Sequence, residues 1–371
     1  MSASISDKQS LQKTAVIDCD IHHSMERIED LFPYLPRVYR DQIGAWGPQL
    51  PEFGMLDGAG LRGFRHDSFP QNNKPPGSDL SIMRDQLLDA YDIDYGILTG
   101  QFFKHYASYH IEYSAALCSA HNDWTVEHWL DKDDRLRGSI LVPIHDSKLA
   151  VKEIERMAKD KRMVQVITVG GSRYPYGQRV FHPIYEKCVE YNLPFAIHSG
   201  LEGAGFLGTA TGVGYPSHYL EYKTIGAGAF IAHLASFIFE GVFEIFSALK
   251  VGFLEAGIHW VAPALWQFDN DWKCLRNQTP WVKKPPSEYY KSNVFVGQQP
   301  LEQSPDKNAM LQSLKWMNAK ENLVFCSNYP RWDFESPIEV LAAELDAGLR
   351  ENILFANASE IYHLPRRKES D

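Results

Sequence analysis

The chain has 371 residues, enough for one large α/β domain or two ordinary ones, and a formal charge of −10. That charge, with no basic cluster beyond Arg366-Arg367-Lys368 near the C-terminus, argues against nucleic acid and anionic membrane as partners. Five cysteines without paired spacing read as reduced thiols, and Met1 to Lys13 is too polar for a signal peptide, so the expectation is a cytoplasmic globular protein.

Apolar, β-rich runs recur along the chain with helical stretches between them. Ala15 to His22 is the first. Tyr95 to Gly100 follows a stretch near Ser81 to Tyr91 in which Ile82, Met83, Leu87 and Leu88 make one apolar face. Gly138 to Ile144 comes after an aromatic-rich helix around Ser108 to Leu130, and Val164 to Val169 after a helix over Ser147 to Lys159. Pro194 to Gly200 succeeds a helix over Val180 to Tyr191. Lys250 to Gly257, Asn293 to Gly297 and Leu323 to Ser327 complete eight runs. Most are continuously apolar, as parallel strands covered on both faces should be. Eight β/α units predict an α/β fold, a single (β/α)8 TIM barrel. An open doubly wound sheet is the alternative, but no Gly-rich dinucleotide turn follows the first run.

Three stretches interrupt the alternation: Ser24 to Asp79, Glu202 to Pro216 and Asn270 to Tyr290. The first reads as a loop insertion at about 24–79 in a single domain spanning 1–371, and it and the second are expected over the C-terminal rim as lids or substrate walls. Ala227 to Phe239, the most apolar later stretch, is broken by His233 and reads as too short and polar to cross a bilayer.

The chemistry is expected at the strand ends. Asp18, Asp20 and His22 share one face of the first strand, since side chains alternate along it. His198, Glu255 and Asn328 end or follow later strands, at the rim where barrel enzymes place catalysis. Two imidazoles and a carboxylate suit Zn, Mn or Fe, so Asp20, His22, His198 and Glu255 are candidate metal ligands. Glu255 and His259 would share a helix face if that turn is helical, as an acid/base pair or as ligands to a second ion. His218 and Tyr219 end the Gly-rich loop and are candidate substrate contacts. His233 reads equally as a core histidine, and His105, His110, His121 and His128 as structural. Trp124, Trp129, Trp260, Trp266 and Trp332 are assigned to the core.

Several motifs in order carry a resemblance over nearly the full length. They include Val16-Ile17-Asp18-Cys19-Asp20-Ile21-His22, Pro76-Gly77-Ser78-Asp79-Leu80, Phe195-Ala196-Ile197-His198, Phe253-Leu254-Glu255-Ala256-Gly257 and Ser327-Asn328-Tyr329-Pro330-Arg331-Trp332-Asp333. On these the chain resembles the amidohydrolase-related family, the metal-dependent hydrolase and decarboxylase branch of the amidohydrolase superfamily. The resemblance implies a (β/α)8 barrel with a divalent metal at the C-terminal rim, ligated by the positions matching Asp20, His22 and His198. Where the family typically reads Ser-Asp-Tyr-Pro-His, this chain has Asn328 and Arg331. An amide can offer an oxygen to a metal but cannot take a proton from its water, and the arginine adds a fixed charge suited to a carboxylate. Catalytic roles therefore fall to Glu255, His259 and Asn328, and substrate binding to Arg331, His218 and Tyr219.

The expected activity is decarboxylation or hydrolysis of a small carboxylate-bearing molecule, with one or two divalent ions per chain. The resemblance also admits a dinuclear non-haem Fe or Mn monooxygenase, for which His23, His233, Glu255 and His259 leave room for a second ion. A third possibility is a degenerate subunit supporting an active paralogue. A homo-oligomer, or a hetero-oligomer with such a paralogue, is the expected assembly.

Overall fold

The computed structural model describes residues 15–51, 63–71, 74–100, 110–255, 257–302, 304–340 and 345–367. Eight parallel strands follow one another in chain order around a barrel. They are β1 (Ile17–Ile21), β2 (Tyr95–Leu98), β3 (Leu136–Leu141), β4 (Met163–Val169), β5 (Phe195–His198), β6 (Val251–Leu254), β7 (Val294–Gly297) and β8 (Leu323–Val324). All but one of their residues are buried, the exception lying in β3, which is why the runs are apolar throughout rather than alternating.

β8 is only two residues long, yet the ring closes beyond it. Cys19 N donates to Phe325 O at 2.9 Å, Asn328 N to Asp20 O at 3.1 Å, and His22 N to Tyr329 O at 2.7 Å. The segment after β8 is thereby laced to β1, which carries Asn328 to the same rim as Asp20 and His22. β3 begins two residues earlier than its apolar run, because Leu136 and Gly138 pair with Gly96 and Leu98.

The surrounding helices turn one apolar face inward. Helix Ser147–Met157 buries Ala150, Ile154 and Met157, and Asp146 caps it by accepting from Lys148 N and Leu149 N. Helix His182–Glu190 buries Ile184, Tyr185 and Cys188. Ile154, Met157 and Ile184 each contribute about 1.5–3 kcal/mol by this burial. Inside the barrel, a Cβ added at Gly252 would meet the Phe295 ring at 2.2 Å, so the side chain on β7 requires a glycine on β6.

Some expectations need correction. The stretch 270–290 is largely regular: helix Val261–Leu275 runs into it and helix Pro286–Asn293 takes up its end. The insertion at 24–79 contains helical turns at Ile28–Tyr34 and Arg37–Trp46, while 52–62 and 72–73 lie outside the described residues, as do His105 and the first two residues of the helix expected from Ser108. Trp124, Trp129 and Trp260 are buried, but Trp266 and Trp332 are 48% and 58% exposed and do not belong to the core. Tyr219–Phe239, helical except at a turn, reaches 21 residues with hydropathy 1.2, so length and composition alone would allow a span. Its second part instead buries Phe230, His233, Leu234, Phe237 and Ile238 within the protein.

Candidate metal centre

Asp20 lies buried near the end of β1 with His22 just beyond the strand, and β5 ends in His198; one donor atom from each lies within 4.8 Å of the others. Asp20 Oδ2 is 3.2 Å from His198 Nε2, and Asp20 Oδ1 is 3.5 Å from His22 Nε2. Ligands each about 2.1 Å from one ion stand roughly 3–3.5 Å apart, so these spacings suit a shared cation. The outer nitrogens are held elsewhere: His22 Nδ1 bonds Gly100 O at 2.7 Å and His198 Nδ1 bonds Ser199 O at 2.8 Å. Those bonds place a proton on each Nδ1 and turn both Nε2 atoms toward Asp20. Thr99 Oγ1 donates to Asp20 Oδ1 at 2.5 Å and fixes the carboxylate.

Among the buried acceptors of the described residues that have no hydrogen-bond partner are His22 Nε2 and Asn328 Oδ1. A buried acceptor left in that state is costly, and a cation satisfies it. The donor set therefore fits a divalent metal. Asn328 is fully buried with φ of +57°, and its Nδ2 donates to Asp333 Oδ1 at 3.0 Å, which leaves Oδ1 as the free end of the amide. Gly77 presses on the back of the site: a Cβ there would lie 2.4 Å from His22 O.

Charge sets the protonation states. Burial pushes the His22 imidazole down to about 4, so it is neutral and able to ligate. Burial alone would raise Asp20, but His198 and His22 beside it hold its carboxyl below the ordinary range. His198 is drawn the other way: burial would lower it, and the Asp20 carboxylate outweighs that and raises it.

Glu255 stands apart from this group of three. It adopts φ of +53°, its Oε1 is paired with Lys223 Nζ, and its Oε2 accepts from Ser199 Oγ at 2.7 Å. Oε2 is also 3.6 Å from His198 Nε2. Burial would raise its carboxyl, yet Lys223, then His198 and Arg331, hold it well below the usual range. The helical face expected to join Glu255 to His259 does not form, because Glu255 and Gly257 are both left-handed and the helix starts only at Val261. His259 turns away, its Nε2 lying 2.6 Å from Glu302 O.

Tyr219 is half-buried, and Glu255, Lys223, Arg331 and Asp333 all act on its hydroxyl, after burial, so it faces the site. His218 is exposed at the start of helix Tyr219–Thr224, 3.7 Å from Glu221, and the structure does not bring it to the centre. Arg331 N donates to Asn328 O at 2.8 Å, and its guanidinium sits 5.1 Å from the Phe64 ring centroid. Its positive charge reaches both His22 and Glu255. His233 is structural: it stacks on Tyr176 with centroids 4.4 Å apart, and its Nε2 lies 2.8 Å from Gly170 O.

Sequence reasoning missed Lys223, Thr99, Ser199 and Asp333. Lys223 had a signal, since it follows Tyr219 by four residues and so shares its helix face. Asp333 closes the last motif two residues after Arg331. A cavity of about 790 Å³ opens between the loops after β4 and β5, lined by Arg173, Glu202, Tyr215 and His233 among others and by none of the three centre residues.

Fold and site together define a (β/α)8 barrel that gathers a carboxylate and two imidazoles at its C-terminal rim. The family model described as amidohydrolase matches residues 17–364, and the chain belongs to that family. No curated protein sequence matches it. Among solved structures it is similar to 2,6-dihydroxybenzoate decarboxylase from Rhizobium, with TM-score 0.67 and 16% identity over 95% of this chain and 99% of that one. It is similar to dihydroxybenzoic acid decarboxylase from Polaromonas sp. JS666, solved with manganese and 2-nitroresorcinol, with TM-score 0.67 and 17% identity over 96% and 99%. A third is 5-carboxyvanillate decarboxylase from Novosphingobium aromaticivorans, complexed with manganese and 4-hydroxy-3-methoxy-5-nitrobenzoic acid, with TM-score 0.66 and 17% identity over 95% and 97%. At these identities the likeness establishes the shared fold.

Proposed function

We propose that the chain is a metal-dependent carboxy-lyase acting on a small carboxylate-bearing substrate, with hydroxylated aromatic acids as the first class to test because the structural neighbours named above are decarboxylases of such acids. The observation that carries this reading is the pairing of a three-donor metal centre with two cations, Lys223 and Arg331, where a hydrolase would need a free basic carboxylate. Asn328 is neutral and cannot accept a proton from water. Glu255 is ionised but paired with Lys223 and bonded by Ser199.

Asp20, His22 and His198 would hold the metal, which when bound supplies a Lewis acid that polarises substrate oxygen. Arg331 offers a fixed positive charge to the substrate carboxylate. Tyr219 presents a hydroxyl beside the charged groups and orients the ring or chain of the substrate. Loss of CO2 breaks the bond from carbon to the carboxylate, leaves the electron pair on carbon and requires one proton there. Asp333 is suited to hold that proton: burial raises its carboxyl, with Lys223 opposing and Glu255 adding to the rise, whereas Asp20 and Glu255 are both held low.

The test is to load the protein with manganese and offer a panel of hydroxybenzoates beside ester, lactone and amide panels, following CO2 and O2. Release of one CO2 per decarboxylated product without O2 uptake is expected. Product formation coupled to O2 consumption, or turnover confined to the hydrolysis panel, overturns the reading.

A further inference from the structure

We propose that the barrel carries a second binding site, for a small phosphate-bearing anion, at the end away from the metal centre. It neither uses nor depends on the activity proposed above. The strands run parallel with the metal ligands near their C-terminal ends, and a bowl of about 1200 Å³ opens where β2, β3 and β4 begin. Arg84, Lys132, Arg135, Arg137, Arg162 and Arg367 line it beside three carboxylates, in a chain whose formal charge is −10. Arg367 belongs to the C-terminal basic run and Arg137 to β3, so barrel closure assembles a positive cluster that no single stretch of sequence displays.

Most of that charge is already offset. Asp133 accepts from Arg84 Nε and Arg135 Nη2, both at 2.8 Å, and Arg135 also reaches Asp89 at 2.6 Å. Arg162 pairs with Asp131 and Asp160 at 2.7 Å each, and Arg367 with Asp134 at 2.8 Å. Arg137 is the exception among these arginines: no carboxylate of the described residues lies within ion-pair distance of it. It is also the one strand residue that is not buried. Its Nη1 donates to Asp134 O at 2.9 Å and Leu136 O at 2.8 Å, which leaves Nε and Nη2 to a ligand. Burial lowers its guanidinium from the ordinary range, and Arg367 and Arg162 lower it further against the opposing pull of Tyr95 and Asp134. Arg137 and Arg367 also crowd one ring, their Cζ atoms 4.6 and 5.9 Å from the Tyr95 centroid. A half-buried cation without a counter-ion is costly, and an anion set between these guanidinium groups removes that cost. A carboxylate occupies one guanidinium fork, whereas the additional oxygens of a phosphate group accept from several. The recess and the net negative charge of the chain disfavour an extended polyanion, so the ligand is a small molecule.

The experiment is calorimetric titration of the full chain, at the metal content with which it is purified, with pyrophosphate, inorganic phosphate and acetate as probes. Wild type should bind one pyrophosphate per chain, more tightly than phosphate and far more tightly than acetate, with affinity falling as salt is added. Arg137→Gln and Arg367→Gln should each weaken pyrophosphate binding by about tenfold or more, the loss expected for one charge-assisted hydrogen bond. His198→Ala, at the metal centre, and Arg276→Gln, exposed elsewhere, should keep the affinity within about twofold, as distant sites do. No binding of pyrophosphate by wild type overturns the proposal, as does unchanged affinity in a folded Arg137→Gln protein. A loss in Arg276→Gln as large as in Arg137→Gln overturns it by making the effect one of net charge. A loss confined to His198→Ala overturns it by placing the probe on the metal. If Arg137→Gln does not fold, Arg367→Gln, in the C-terminal tail, decides alone by the same criteria.

Discussion

His22 shows how the chain builds a ligand from backbone geometry: Gly100 O accepts from Nδ1–H at 2.7 Å, and Nε2 is left facing Asp20. Removing such a ring removes a donor and unbalances its partners. His22→Ala and His198→Ala should therefore each lower manganese affinity by about 10–100-fold. His121→Ala, which alters a ring beside His23 and Trp124, should leave it unchanged; equal losses in all three by equilibrium dialysis would show that the assignment is wrong. Asn328 is the other informative residue. Asn328→Asp supplies an anionic oxygen, which a hard cation prefers to an amide, so metal affinity should rise by about tenfold. The new carboxylate would also face Asp333 Oδ1, now 3.0 Å from the amide nitrogen, and disturb the group assigned to hold the proton. Affinity should go up while CO2 release does not. A rise in both would mean that the amide is a defect rather than an adaptation.

At the scale of elements, the loop carrying Gly77 is wedged behind β1, with Ser24 N bonded to Gly77 O at 2.8 Å and φ of +78°. Gly77→Ala adds a Cβ 2.4 Å from His22 O in a backbone region that alanine avoids. A loss of about 1–3 kcal/mol in urea unfolding is expected, together with weaker metal binding, because the strain falls on a ligand's own peptide. Loss of stability with intact metal affinity would separate the loop from the site. Helix Ala227–Phe239 carries a pH effect of its own. Burial lowers His233 to about 4 from the ordinary 6.5, so the unfolded chain takes up its proton first as pH falls. The stability His233 confers is complete above pH 6.5 and is lost as pH falls from there through about 4, on the order of 3 kcal/mol at most. Thermal melts across that range should fall less steeply for His233→Gln than for wild type, and parallel curves would contradict the assignment.

For the whole molecule, the centre ties β1, β5 and the segment after β8, which are far apart in sequence, so occupancy should stabilise the entire barrel. Metal at 100 times its dissociation constant stabilises a folded chain by about 2.7 kcal/mol. Chelator should lower the melting temperature by several degrees in wild type and hardly at all in His22→Ala. The eight strands were legible in the sequence because a parallel barrel strand is covered on both faces and must be apolar along its length. Register was less so: the start of β3 is decided by its pairing with β2, which no local pattern encodes.

What the amino-acid order determined by itself was the set of groups that local geometry holds together. Asp20 and His22 share a strand face, His198 ends β5, and the resemblance of the surrounding motifs implied that they meet. That Asn328 replaces an aspartate and Arg331 a histidine was likewise readable from one line of sequence. Only the tertiary structure decided what is held by partners distant along the chain. Lys223 comes from a loop helix after β5, Glu255 from the end of β6 and Asp333 from beyond β8, and they form one charged group because barrel closure brings those ends to one rim. It also decided against Glu255 and His259 as a pair, since Glu255 and Gly257 are left-handed and the helix begins only at Val261. Trp266 and Trp332 were misplaced for the same reason: apolar character marks a residue that can be buried, while the packing of other elements determines whether it is.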